Sequence, residues 1–303
     1  MVTGVPTSAD FSEYGLRYLN LGWGLALQVI LDFADAEDWG YDTEPEIKAD
    51  FLKAAEPEFA TALLLVVQGI EFLIKGKIAE VSPWLLLSRD PGGWPRRCDK
   101  EDIEFSSFHT LDAQDLLKVN DTFALKRLPE EFAEAFSALR KKRNTMMHTV
   151  DLKLRASAVE IIQNLLLSAE HLIGPMKWPE ERDVFLQNAR DAAFDVDLAA
   201  VRLGREFNAV VLLLGRAELV RFFGFDKGQR NYSCPICSHA HKHMEFPCKT
   251  AQLKPNNPKS NTVYCFVCRQ SSEVSRQPCV KDKCKGNVIS VDWDECLTCD
   301  GNQ

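Results

Sequence analysis

Apolar residues recur at three- and four-residue intervals along most of this chain, the period of helices that bury one face. Over residues 10–37 the positions Phe11, Leu16, Leu19, Trp23, Leu27, Ile30 and Leu31 form one stripe behind a candidate cap at Asp10. An acidic, turn-rich stretch from Asp35 to Glu46 follows and is expected to be a loop. Residues 45–80 carry one or two helices with a break near Pro57, the second holding the apolar run Ala62–Ile74 interrupted by Glu71. Ser88–Lys100, rich in Pro, Gly and Arg, is a loop. Its Trp94, Arg96 and Arg97 either stack a base and grip phosphate or simply pack on the body.

Further helices are expected at Thr110–Val119, capped by Thr110, and at Pro129–Val150, with Phe132, Phe136 and Leu139 on one side. Others follow at Leu152–Ile173, closed by Gly174-Pro175, and at Trp178–Phe194 and Asp197–Phe223. No alternating strand pattern stands out between residues 10 and 223. The expected fold is therefore an all-α, mostly antiparallel helical bundle.

At Gly224 the composition turns abruptly to Cys, Lys, Pro, Asn and Gln. Nine of the ten cysteines lie beyond residue 233, eight of them as four spaced pairs with Cys248 left over. Two C-x2-C knuckles, Cys234/Cys237 and Cys265/Cys268, suit one tetrahedral metal site, and Cys279/Cys284 with Cys296/Cys299 form a second set. His239, His241, His243 and Cys248 are alternative ligands for the first. The pattern resembles tandem zinc ribbons, which implies one or two structural Zn²⁺ ions in a small region of strands and loops. The organisation expected is a helical domain over 1–177, a helical extension or connector over 178–224, and a cysteine-rich region over 225–303.

Charge refines this picture. The 303 residues carry a net charge of -8, yet residues 226–303 hold 11 Lys+Arg against 8 Asp+Glu, a net of +3. An acidic body needs local basic patches to handle nucleic acid, and Arg140-Lys141-Lys142-Arg143 is one, unless it is only a solvated helix face. In the tail Lys242, Lys249, Lys254, Lys259, Arg269, Lys281, Lys283 and Lys285, with Tyr264 and Phe266, suit nucleic acid, although zinc ribbons bind protein as readily. Nothing resembles a helix-turn-helix with a basic recognition helix. The N-terminus lacks the pattern of a signal peptide, and Leu21–Leu31 and Ala62–Ile74 are too short to span a bilayer; the expectation is a cytoplasmic protein with no membrane partner.

The candidate chemistry lies at Arg143-Asn144-Thr-Met-Met-His148. At about 100° per residue, Asn144 and His148 sit one turn apart on one helix face, with Arg143 beside them. Imidazole, carboxamide and guanidinium together suit acid–base work on a phosphodiester. This stretch resembles the R-N-x-x-x-H form of the R-x4-6-H motif of the HEPN superfamily, all-helical proteins that include many metal-independent RNases. The resemblance covers residues 10–175. It implies that His148 acts as general acid or base, that Arg143 stabilises charge on the phosphoryl oxygens, and that Asn144 orients the pair. It also implies RNA as substrate, a homodimer or a HEPN partner that brings two motifs together, a regulatory partner protein, and a role as a toxin or in antiviral defence. Arg140, Lys141 and Lys142 would bind RNA. Glu71, on the early core helix, would support the motif, or else form a surface ion pair with Lys75. A non-catalytic HEPN and zinc-ribbon adaptor is the competing expectation.

Overall fold

A computed structural model describes residues 1–88, 90–148, 155–190, 196–241 and 249–303. The chain forms two compact units, 1–175 and 176–303.

Six helices build the first unit: α1 (Ser8–Asp38), α2 (Pro45–Ala54), α3 (Glu56–Val81), α4 (Ala113–Phe123), α5 (Glu130–His148) and α6 (Ala158–Leu172). The first begins two residues before Asp10. Thr7 is the cap: its hydroxyl accepts the Asp10 amide while the Asp10 carboxylate accepts the Thr7 amide, a reciprocal capping box. Asp10 thus completes the cap from inside the helix. Pro57 falls in the first turn of α3, where its missing N–H costs nothing, and the break from α2 lies just before it. Asp112, rather than Thr110, precedes α4. Thr110 instead bridges to Leu87. A further pair of two-residue strands, β1 (Val2–Thr3) and β2 (Ile103–Glu104), runs parallel. Two residues are too few to show alternation, so this pairing leaves no trace in the pattern. The expected helices reaching Val150 and starting at Leu152 have those ends outside the described residues.

The centre of this unit is α3, which packs on α1, α4, α5 and α6. Leu63, Val66, Ile70 and Ile74 on α3 meet Leu19, Trp23 and Leu27 on α1 in a solvent-free core with Ile161 and Leu165 of α6. Glu56–Val81 is long and apolar enough to cross a membrane, but 61% of its most apolar window is buried in this protein packing. Glycines let α1 and α3 approach to backbone contact. A Cβ added at Gly69 would lie 2.9 Å from the Gly15 carbonyl oxygen, and one at Gly22 would lie 2.9 Å from that of Ala62.

The second unit begins with helices α7 (Trp178–Gln187), α8 (Val196–Leu213) and α9 (Arg216–Phe223). Where the pattern suggests one helix over Asp197–Phe223, the structure has two. Gly215 starts α9, with the Glu218 carboxylate turned back onto its amide at 2.9 Å, and Gly224 ends it at φ 71° in the left-handed region. Helix α7 stops at Gln187, short of the expected Phe194, and 191–195 lie outside the described residues. Then come the short helix α10 (Pro235–Ala240) and strands β3 (Ala251–Leu253), β4 (Thr262–Cys265), β5 (Ser271–Ser275), β6 (Ile289–Ser290), β7 (Glu295–Cys296) and β8 (Gly301–Asn302). These strands pair antiparallel in chain order.

Segment 178–224 belongs to the same unit as the cysteine-rich region. Phe207 of α8 lies 5.4 Å from the Phe225 ring and stacks at 6.1 Å on Phe266, which sits between the second pair of knuckle cysteines. Arg269 reaches Asp183 of α7 at 2.7 Å. The fully buried Arg182 grips Glu206 with two hydrogen bonds, at 2.8 and 2.7 Å, tying α7 to α8.

The glycine contact gives the first prediction. Gly69→Val should destabilise the helical unit by about 1–3 kcal/mol, the usual cost of overpacking, and lower the thermal midpoint followed by helical circular dichroism. Gly93→Ala, where an added Cβ meets nothing within 4 Å, should leave it unchanged. Equal midpoints for the two variants would show that the close approach is not what holds the pair.

Candidate functional site

Two places bring functional side chains together, one in each unit. The first is on α5. Phe132, Phe136 and Leu139 are buried along its inner face. Arg143 continues that line one turn further and meets Glu71 of α3, Nη2 donating to Oε1 at 2.5 Å. Their side chains are 27% and 10% exposed, so this ion pair is largely removed from water. Burial pushes the Glu71 carboxyl above its ordinary value, opposed by the positive charges of Arg143, Lys75 and Arg140. Lys75 does not take Glu71 as a surface partner. Its ammonium donates to Thr110 Oγ1 at 3.2 Å, and burial pulls its pKa down.

The rest of the motif faces outward. Asn144 and His148 are exposed, with Met147 between them 58% exposed. The basic run is divided by the helix turn. Lys141 is exposed, Arg140 lies with its guanidinium 5.7 Å from the Phe136 ring, and Lys142 is paired with Glu160 of α6 at 2.5 Å. Arg143 and Glu71 are thus brought together, while Asn144 and His148 share the outer surface beside them. A cleft of about 480 Å³ opens elsewhere on this unit, lined by Ser88, His109, Thr110, Asp115, Lys118 and Phe123. No motif marks it, because its walls come from Ser88, the stretch 109–112 and helix α4, which meet only in the fold. In the 88–100 loop, Trp94 packs edge-on against Phe108 at 5.8 Å and donates to the Ser88 carbonyl, so its ring serves the body of the unit.

The second place is a pair of four-cysteine clusters. Cys234, Cys237, Cys265 and Cys268 form one, Cys279, Cys284, Cys296 and Cys299 the other, with the sulfurs of each set within 4.8 Å of one another. A metal bound tetrahedrally through sulfur at about 2.3 Å would set sulfur–sulfur edges of about 3.8 Å. The separations are 3.7 Å for Cys234–Cys268, 3.9 Å for Cys237–Cys265, and 3.8 Å for both Cys279–Cys299 and Cys284–Cys296. A disulfide would need about 2.05 Å. Both sets therefore fit a metal ion.

Backbone amides support the sulfurs. Cys237 N donates to Cys234 Sγ, Val267 N to Cys265 Sγ, Lys281 N to Cys279 Sγ and Gly286 N to Cys284 Sγ, at 3.3–3.4 Å. Thr250 Oγ1 adds a contact at 3.2 Å to Cys265 Sγ. Thiolates packed this closely repel one another, so such a set ionises fully only around a cation.

Among the described residues, neither His239 nor His241 joins a cluster. His239 bonds Glu295 at 2.9 Å and stacks at 4.7 Å on Trp293, which links the helix of the first cluster to the strand of the second. His243, Cys248 and Lys242 lie outside the described residues. Phe266 is buried and Tyr264 is half-buried against it, with the Lys254 ammonium 4.3 Å from the Tyr264 ring centre. Those aromatics build the unit rather than offering free stacking faces.

Comparisons with protein-family models, with curated proteins and with solved structures gave no match.

Two predictions come from this geometry. Carbon-13 NMR should find the Glu71 carboxyl titrating above 4.5, its ordinary value, and Arg143→Ala should raise the midpoint further by removing an opposing charge. A folded value above the unfolded one means that this group's contribution to stability is fully present below 4.5 and is lost as pH rises through the folded midpoint. Titration at or below 4.5 would contradict the buried pair. Elemental analysis should find two metal equivalents per chain, falling to one on Cys265→Ser or Cys296→Ser; one equivalent in the unaltered protein would contradict two independent centres.

Proposed function

We propose that the protein is a metal-independent endoribonuclease of HEPN type that acts as a homodimer. The observation that carries this reading is the split presentation of the motif. Arg143 is fixed from behind by Glu71, while Asn144 and His148 on the same helix are exposed. A half-site of this form suits a composite site closed by a second copy.

In the reaction, the ribose 2′-oxygen forms a bond to the adjacent phosphorus as the bond to the 5′-oxygen breaks. His148 takes the 2′-hydroxyl proton, and His148 of the partner subunit returns a proton to the departing 5′-oxygen. Arg143 stabilises the negative charge on the phosphoryl oxygens. Its Nη2 is committed to Glu71, which fixes the plane of the guanidinium and leaves other N–H groups for phosphate. Asn144 orients the imidazole. Glu71 is a positioning residue. The products are a 2′,3′-cyclic phosphate and a 5′-hydroxyl, and no metal takes part in the bond changes.

The two clusters hold Zn²⁺. Four thiolates close the coordination sphere, so the ions are structural and the ribbons serve to capture RNA or a partner protein. Arg140 and Lys141 supply nearby positive charge for the RNA backbone. A thiolate-rich metal region suits a reducing compartment, in keeping with a cytoplasmic toxin or defence effector. A second reading, a non-catalytic adaptor, draws on one observation: Glu160 already neutralises Lys142 in the basic run.

The test is RNA cleavage in EDTA by the full chain, with dimerisation checked by light scattering. His148→Ala should lower the rate by about 10²–10⁴-fold, the usual worth of a general acid–base, with zinc content and dimer unchanged. Products of the unaltered protein should end in a cyclic phosphate. Equal cleavage by protein and variant would reject His148, and a proven dimer inactive on several RNA classes would favour the adaptor.

A further inference from the structure

The two clusters share their sulfur geometry but differ in access. In the first, Cys234, Cys237 and Cys265 are 1–2% exposed beside the Thr250 hydroxyl and the aromatic cluster around Phe266, and Cys268 is half-buried. In the second only Cys296 is buried. Cys279 and Cys284 are half-buried and Cys299 is exposed. Exposed Lys281, Lys283 and Lys285 alternate with or adjoin its ligands, so this end of the cluster borders a polar, solvent-open surface that a small oxidant can reach. The strands that carry this end are two residues long, with Ile289 paired to Cys296 and Cys296 to Gly301.

We propose that the second cluster is an oxidative modification site, in which a hydroperoxide converts Cys279 and Cys299 to a disulfide and the metal of that cluster is released. The inference rests on the clusters holding metal. It does not depend on ribonuclease activity. Cys299, the exposed sulfur, attacks the peroxide oxygen, gives a sulfenic acid and expels hydroxide, which is protonated to water. The Cys279 thiolate then attacks the Cys299 sulfur, forms the S–S bond and expels a second hydroxide, protonated in turn. Two thiolates lose two electrons, and with hydrogen peroxide and two protons they yield one disulfide and two waters. The partner sulfur stands 3.8 Å away, close enough for bonding after a small shift of the chain. With two ligands gone, Cys284 and Cys296 alone cannot hold the ion tetrahedrally. The first cluster lacks a comparably open sulfur and keeps its metal.

The experiment uses the full chain, its metal content measured beforehand. Hydrogen peroxide is added in steps, and metal release is followed with a chromogenic chelator. Non-reducing peptide mapping identifies the disulfides, and a thiol reductant with added Zn²⁺ tests reversal. The expected result is one equivalent released about tenfold faster than the other, in step with a Cys279–Cys299 linkage, while Cys234, Cys237, Cys265 and Cys268 remain reduced. Equal release from both clusters, or a first linkage among the cysteines of the first cluster, would overturn the proposal. The initial metal content separately reports whether the clusters hold metal, and in a chain without it the disulfide map alone decides the modification site.

Discussion

Backbone contact between α1 and α3 is the constraint on which the helical unit depends. Helices joined by large side chains usually lie 8–10 Å apart. Here Gly15 and Gly22 on one helix, and Gly69 and Gly76 on the other, repeat at seven-residue spacing and remove the side chains that would keep the backbones apart. The two longest helices thereby act as one rigid element. One side of α3 is spent on α1, and its remaining surface receives α4, α5 and α6. Glu71 projects on that second surface, and for this reason it meets Arg143.

An ion pair in such a place is not a cheap source of stability. Desolvating a carboxylate and a guanidinium offsets much of their attraction, and the upward pull on Glu71 expresses that cost. Its structural effect is specificity. It ties the Arg143 guanidinium to α3, on the same side of α5 as the buried Phe132, Phe136 and Leu139, and Asn144 and His148 are exposed. Lys75, one turn further along α3, contributes a second partly buried charge and holds Thr110 at the rim of the cleft.

Much of this was legible in the chain. The periodic stripes mark the helices of the first unit, and the spaced cysteines mark both clusters with their pairing. The helical-then-small-β layout follows from the composition change at Gly224. Other features are tertiary and leave weaker marks. Asp10 resembles a cap because it is acidic and precedes the apolar stripe, yet a threonine three residues earlier makes the reciprocal bond. The break at Gly215 turns on a single glycine with Glu218 three residues later, a local signature that the continuous apolar stripe obscures. The membership of 178–224 in the cysteine-rich unit depends on aromatic contacts between residues some 60 positions apart, such as Phe207 and Phe266. The seven-residue spacing of the glycines takes its meaning only from the facing helix.

The order of ligands along the chain has its own consequence. Cys234, Cys237, Cys265 and Cys268 are complete before the first ligand of the other cluster appears at Cys279, and the sheet adds each strand beside the one before it. No cluster has to wait for, or reach across, the ligands of the other. As the chain lengthens, each group of four sulfurs can close on itself, so mixed sets drawn from both clusters are disfavoured by connectivity before any difference in metal affinity acts.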